Sequence, residues 1–141
     1  MYKRQYQSET KGHSVLINDL ANALYIKSVV NANPEKRLGI LRRAKQQLLR
    51  ATRFENPDPV VFVTLAEIEC VTISLEPPKD ANEKFKEIIA LIEVATTRGY
   101  EFSYISLENL LGSRVSGHPF LELQKLDGDW KNKLRHATEL P

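Results

Sequence analysis

Residues 60–76 read VVFVTLAEIECVTISLE, residues 77–80 read PPKD, and residues 81–100 read ANEKFKEIIALIEVATTRGY. The first piece is apolar nearly all round, the second is a Pro-marked turn, and the third alternates apolar and charged residues at helical spacing. Together, from Pro59 to Tyr100, they read as a helical hairpin. In the first helix, Val60, Phe62, Val63, Leu65, Ala66, Ile68, Val71 and Ile73 are the expected inward residues. The β-branched run Val61-Phe62-Val63-Thr64 also fits a strand, but the length and the flanking prolines favour a helix. Asp80 is placed to cap the second helix, and Phe85, Ile88, Ile89, Leu91, Ile92 and Ala95 form its apolar stripe. Gly99 is expected at its C-terminal end, where a left-handed residue stops a helix.

The chain before this hairpin repeats it. A helix from Ser14, its expected N-cap, to about Asn31 carries Ile17, Leu20, Ala21 and Leu24 as one stripe. Leu16, Ala23, Ile26 and Val30 form a second stripe on another side. A helix apolar on two sides expects neighbours on both. Asn31-Ala32-Asn33-Pro34 breaks it, and Pro34 suits the first turn of the next helix. That helix runs to about Phe54 with Leu38, Leu41, Ala44, Leu48 and Ala51 facing the core. Ile17, Leu20 and Ala21 recur as Phe62, Leu65 and Ala66 at an offset of 45, and Leu41, Ala44 and Leu48 recur as Phe85, Ile88 and Ile92 at an offset of 44. A fixed offset of this kind marks a stacked helical array.

Beyond Tyr100 the elements shorten. Ser106 to Leu111 and Pro119 to Leu126 each read as a short helix. Asp129 is expected to cap a last one carrying Trp130 and Leu134, with residues 137–141 frayed. The expected organisation is a leader over residues 1–13, hairpins over 14–57 and 58–100, and a short-helix cap over 101–141. The leader is polar, and Met1-Tyr2-Lys3-Arg4-Gln5 is what GTG TAT AAG AGA CAG encodes with GTG as the start. That string resembles a transposon-end adaptor used in preparing sequencing libraries. It implies a disordered or adaptor-derived leader, on a chain that is the C-terminal fragment of a larger protein.

The large-then-small pairs resemble the tetratricopeptide repeat (TPR) family. Phe62, Leu65 and Ala66 fit the first helix of its pattern, and Ala44, Leu48 and Ala51 with Pro57 fit the second. The repeat here is about ten residues longer than the family's usual one, and Leu24 and Glu69 stand where a later aromatic is usual. A further likeness runs from Leu65-Ala66 through Arg98-Gly99-Tyr100 and Phe120-Leu121-Glu122-Leu123 to Asp129-Trp130. It resembles the C-terminal repeat tail of bacterial TPR proteins, including serine/threonine kinases that carry such repeats. The resemblance implies an all-α fold: helical hairpins in a right-handed stack, closed by a short-helix C-terminal cap. It implies a protein–protein interaction or scaffolding module with a protein or peptide partner. It also implies that the first helix of each pair lines a concave groove, placing Asn18, Asn22 and Tyr25, then Val63, Glu67 and Cys70, on that surface. The Lys and Arg that complete a carboxylate clamp in some relatives are absent from these positions.

The totals fit this reading. The chain has 141 residues, 42% hydrophobic and 27% charged, with a net charge of +2, as expected for one globular domain and too little charge to imply a polyanion partner. A lone cysteine, Cys70, forms no internal disulfide and reads as a buried, inert thiol. No apolar run is long enough to span a membrane and no signal peptide is visible, so the expected compartment is the cytoplasm. There is no phosphate loop, catalytic dyad or kinase motif. His13, His118 and His136 lack ligand spacing, so no enzyme activity, metal or cofactor is expected. Lys36, Arg43 and Arg50 fall seven apart on one face of the second helix. They give an alternative reading, contact with a nucleic acid or other polyanion, against the simpler one of a solvated outer face. A third alternative is a purely structural cap on an upstream domain. The two-sided first helix further predicts self-association through Leu16, Ala23, Ile26 and Val30.

Overall fold

A computed structural model of the chain describes residues 2–112 and 117–139, with side chains from residue 12 onward. The fold is all-α. The helices are α1 (Tyr2–Val29), α2 (Pro34–Ala51), α3 (Val60–Leu75), α4 (Ala81–Thr97), α5 (Tyr104–Leu111) and α6 (Trp130–Thr138), with a 3₁₀ segment, Pro119–Lys125, before α6. No strand occurs among the described residues, so the β-branched run at the start of α3 is helical.

The boundaries follow local chemistry. Asn33 Oδ1 accepts from the backbone N–H groups of Glu35 and Lys36 at 2.9 and 3.2 Å, and Pro34 follows it in the first turn of α2. Asp80 Oδ1 accepts from Glu83 N at 3.1 Å and starts α4. Asp58 Oδ1 accepts from Val60 N at the start of α3. At the end of α4, Gly99 takes φ +99°. Tyr100 N donates to Ala95 O and Gly99 N to Thr96 O, the paired bonds of a Schellman motif.

Four expectations need correction. α1 is helical from Tyr2, so the leader expected over residues 1–13 is helix wherever the backbone is described. Ser14 is therefore no N-cap: it is buried inside α1, and its Oγ accepts from Asp58 N at 2.9 Å, tying α1 to the turn before α3. At the other end, Ala137 is fully buried and α6 continues to Thr138 instead of fraying at 137, while residues 140 and 141 lie outside the described part. Asp129 precedes α6, but its carboxylate accepts from the Asn132 side chain and not from the helix backbone.

α3 is the middle of the molecule. Val61, Leu65 and Ile68 pack with Ala21 of α1 and with Leu41, Ala44, Leu48 and Ala51 of α2 in one apolar cluster. Phe62, Val63, Ala66, Cys70 and Ile73 pack instead with Phe85, Ile88 and Ile92 of α4, and with Leu123, Trp130 and Leu134 beyond it. The two sets occupy different sides of one helix, which is why its sequence is apolar nearly all round. The short elements after Tyr100 cover the far side of α3 and α4, the 3₁₀ segment packing on α3 and α6 on α4.

Glu69 joins the layers behind α3. Its buried carboxyl lies 2.7 Å from Lys45 Nζ of α2 and accepts from Lys84 Nζ of α4 at 2.8 Å. The Lys45 contact is short but poorly directed, an ion pair more than a hydrogen bond. Burial pushes this carboxyl up, but the two ammonium groups outweigh burial and hold it below its ordinary range.

The outer side of α1 is bare. Leu16, Leu20, Ile26 and Val30 are exposed, at 64, 51, 63 and 80%, and Ala23 is exposed beside them. Leu20 thus leaves the inner stripe to which its spacing assigned it; Ala21, with Ile17 and Leu24, faces the core. No helix among the described residues is long and apolar enough to cross a membrane.

Candidate functional site

The residues named from the sequence fall on two faces. α1 and α3 lie side by side, and the polar positions on their shared side are Asn18, Asn22 and Tyr25 from α1 and Glu67 from α3. Asn18 and Asn22 are one helical turn apart, but only Asn22 is partly open; Asn18 is buried. Its Oδ1, like Arg37 Nε near the start of α2, has no hydrogen-bond partner among the described residues. Tyr25 is half-buried. Burial raises the pKa of its phenol, the Glu67 charge raises it further, and Arg37 acts in the opposite direction. The structure therefore brings Tyr25, Glu67 and Arg37 into one electrostatic neighbourhood.

Glu67 is the centre of this face. It is half-buried and forms no ion pair or hydrogen bond among the described residues. Desolvation without compensation pushes its carboxyl up to about 7. On one side its charge reaches Tyr25, on the other Tyr100, whose phenol is raised by burial and then by Glu67 and Asp58. Beneath it lies Cys70, fully buried, its thiol pushed up by burial and by neighbouring carboxylates, in keeping with an inert core thiol.

Glu67 and Val63 also form one wall of a cleft of about 190 Å³ between α3 and the short elements that follow Tyr100. Tyr100 and Phe102 form the adjoining wall as an edge-to-face pair with ring centroids 4.7 Å apart. His118 and Phe120 stand opposite, with centroids at 5.1 Å. Phe120 N donates to His118 Nδ1 at 3.1 Å, which starts the 3₁₀ segment and leaves the imidazole proton on Nε2. Burial holds this histidine below its ordinary range. The cleft thus pairs one uncompensated carboxyl with aromatic walls.

Sequence reasoning named Val63 and Glu67 but missed Tyr100, Phe102, His118 and Phe120. A signal existed in the two aromatic-x-aromatic strings, Tyr100-Glu101-Phe102 and His118-Pro119-Phe120. It was weak, because their approach depends on how α5 folds between them.

The basic positions lie elsewhere. Lys36, Arg43 and Arg50 are all exposed along one face of α2 and form no ion pair among the described residues. Other cations of α2 are engaged: Arg42 with Glu76 at 2.9 Å, and Lys45 with Glu69. No group of three or more His, Cys, Asp or Glu side chains could hold a metal ion among the described residues. No protein-family model matches the chain, and neither a curated protein nor a solved structure matches it significantly.

Proposed function

We propose that this chain is a protein–protein interaction or scaffolding module of TPR-like type, the end of a right-handed stack of helical hairpins, with no catalysis of its own. One observation carries the reading. At the offset of 45, the bare residues Leu16, Leu20, Ala23, Ile26 and Val30 of α1 correspond to Val61, Leu65, Ile68, Val71 and Leu75 of α3. All five of those α3 residues belong to or pack against the cluster formed with the first hairpin. α1 therefore presents to solvent the side that α3 buries against its predecessor, as an inner repeat does when its neighbour is removed. The far end is closed by Trp130, Leu134 and the 3₁₀ segment. In a longer protein the open side of α1 takes a preceding hairpin; in the isolated chain it takes a second copy. The α1–α3 face with Asn22, Tyr25 and Glu67 is the concave surface that receives a protein or peptide partner.

Light scattering across a concentration series tests the array reading. The expected result is association of the wild type and a folded monomer for Leu16→Lys/Ile26→Lys. A wild type that stays monomeric at high concentration, beside a variant that merely unfolds, overturns it. A second reading, contact with a polyanion, is favoured by Lys36, Arg43 and Arg50, which are exposed and form no ion pair among the described residues. It predicts a steep loss of binding with salt.

A further inference from the structure

We propose that the cleft walled by Glu67, Tyr100, Phe102, His118 and Phe120 binds a basic side chain, the ammonium of a lysine or the guanidinium of an arginine, presented by the peptide partner. The inference rests on the concave-face reading above and names the chemistry that this face selects.

Glu67 lacks the partner that its surroundings call for. A carboxylate partly withdrawn from water is commonly paired or bonded by donors, because its desolvation is otherwise uncompensated. Glu69, two residues along the same helix, meets that requirement with Lys45 and Lys84. Glu67 has no cation and no hydrogen bond among the described residues, yet lines an open cleft. The groups around it do not supply one. Tyr25 from α1 and Tyr100 from the segment after α4 are phenols kept protonated by burial first and by the Glu67 charge second. Asp58 beside Tyr100, and Glu122 beside Cys70, add negative charge. The nearby cation, Arg37, acts on Tyr25 without bonding to Glu67.

The remaining walls favour the same guest. A cation over aromatic faces gains from their quadrupoles, the more so when water is excluded. The chain already makes such contacts elsewhere: the Arg98 guanidinium lies 5.0 Å from the Phe62 ring centroid, and Lys133 Nζ 5.5 Å from that of Phe85. An extended lysine or arginine stem lies along Val63 and Leu107, apolar residues that line the same cleft. An anionic side chain would face Glu67 with no compensating cation among the described lining residues, and a purely apolar one would bury that carboxylate further.

The test uses the full chain and short alanine peptides carrying one lysine, arginine, glutamine or glutamate. Backbone amide shifts of Glu67, Tyr100 and Phe102 are followed by NMR. The lysine and arginine peptides are expected to move these signals saturably near pH 8. Binding is expected to be about tenfold weaker near pH 6, where a carboxyl titrating at about 7 is mostly protonated. His118 is pushed toward its neutral form by burial, and the Cys70 thiol and both phenols are raised, so the change belongs to Glu67. Glu67→Gln should abolish the preference for basic peptides. The same variant should melt at a higher temperature than wild type near pH 8, because a partly desolvated, unpaired charge has been removed; that gain also certifies that it folds. Equal binding of the glutamine peptide, preference for the glutamate peptide, or undiminished lysine binding by Glu67→Gln overturns the proposal. If basic peptides fail but a peptide selected from a random library still shifts Asn22 and Tyr25, the cation assignment alone falls. If no peptide shifts any residue of the α1–α3 face, the docking-surface reading falls with it.

Discussion

Leu20 and Leu65 are the same residue type at an offset of 45 in two consecutive hairpins, so substituting each in turn tests what a stacked neighbour would contribute. Leu65 is 2% exposed and Leu20 is 51% exposed. Leu→Ala removes three carbon groups, worth about 2.4 kcal/mol of transfer free energy at ~0.8 kcal/mol each when fully buried. At Leu65, packed between α2 and α3, a cavity adds to this, and the expected loss is about 3–4 kcal/mol. At Leu20 about half of the transfer term applies and no closed cavity forms, so the loss is about 1 kcal/mol. Both sites are mid-helix, so the gain in helix propensity on going to alanine cancels in the comparison. Urea unfolding at low protein concentration, with unchanged slope, measures both. A Leu20→Ala loss within about 0.5 kcal/mol of the Leu65→Ala loss would refute the reasoning. It would mean that the outer side of α1 is covered by its own chain and that the offset does not describe a stack.

Three other outcomes follow from particular contacts. Glu69 has a folded pKa below its ordinary 4.5, so the stability it adds is present above that value and lost as pH falls through the folded pKa. Glu69→Gln should cost about 1–3 kcal/mol at neutral pH and flatten the acid side of the stability profile; an unchanged urea midpoint at neutral pH refutes the Lys45–Glu69–Lys84 linkage. Gly99→Ala places a side chain at φ +99° with no steric contact within 4 Å, so its cost is backbone strain alone, about 1–2 kcal/mol; an unaltered melting temperature means that the Schellman turn is absent. Lys36→Gln/Arg43→Gln/Arg50→Gln should leave stability within about 0.5 kcal/mol and partner binding intact. Lost binding with a shallower salt dependence would instead promote the polyanion reading.

The parts that were legible from sequence were those set by local repetition. α3 could be read because two packed sides leave it few polar positions, and the turn chemistry of Asn33-Pro34, Asp80 and Gly99 marks boundaries by side-chain type. The sequence places the start of α1 at Ser14 because the preceding residues carry no apolar period and a serine is a good cap. In the folded chain that serine is spent on a tertiary contact, Asp58 N to Ser14 Oγ, which spans 44 positions and leaves no local trace. Leu20 was assigned to the inner stripe because helical spacing gives the stripes but not their occupants; only the neighbour decides which stripe is covered. The cleft was hidden for the same reason, since Glu67, Tyr100 and His118 belong to three separate elements.

The two carboxyls of α3 carry the argument about function further than any motif. Glu67 and Glu69 stand two residues apart, and so on nearly opposite sides of the helix. Glu69 is buried and Glu67 half-buried, and desolvation raises the pKa of both carboxyls. Lys45 and Lys84 compensate Glu69 and its pKa falls; on the other side no cation among the described residues compensates Glu67, and its pKa rises to about 7. A side chain chosen only for stability at the second position would not be an acid, since a glutamine there keeps the shape and avoids the cost of an unpaired charge. An acid at that position, on the wall of an open aromatic cleft, makes sense where its counter-charge arrives with a partner.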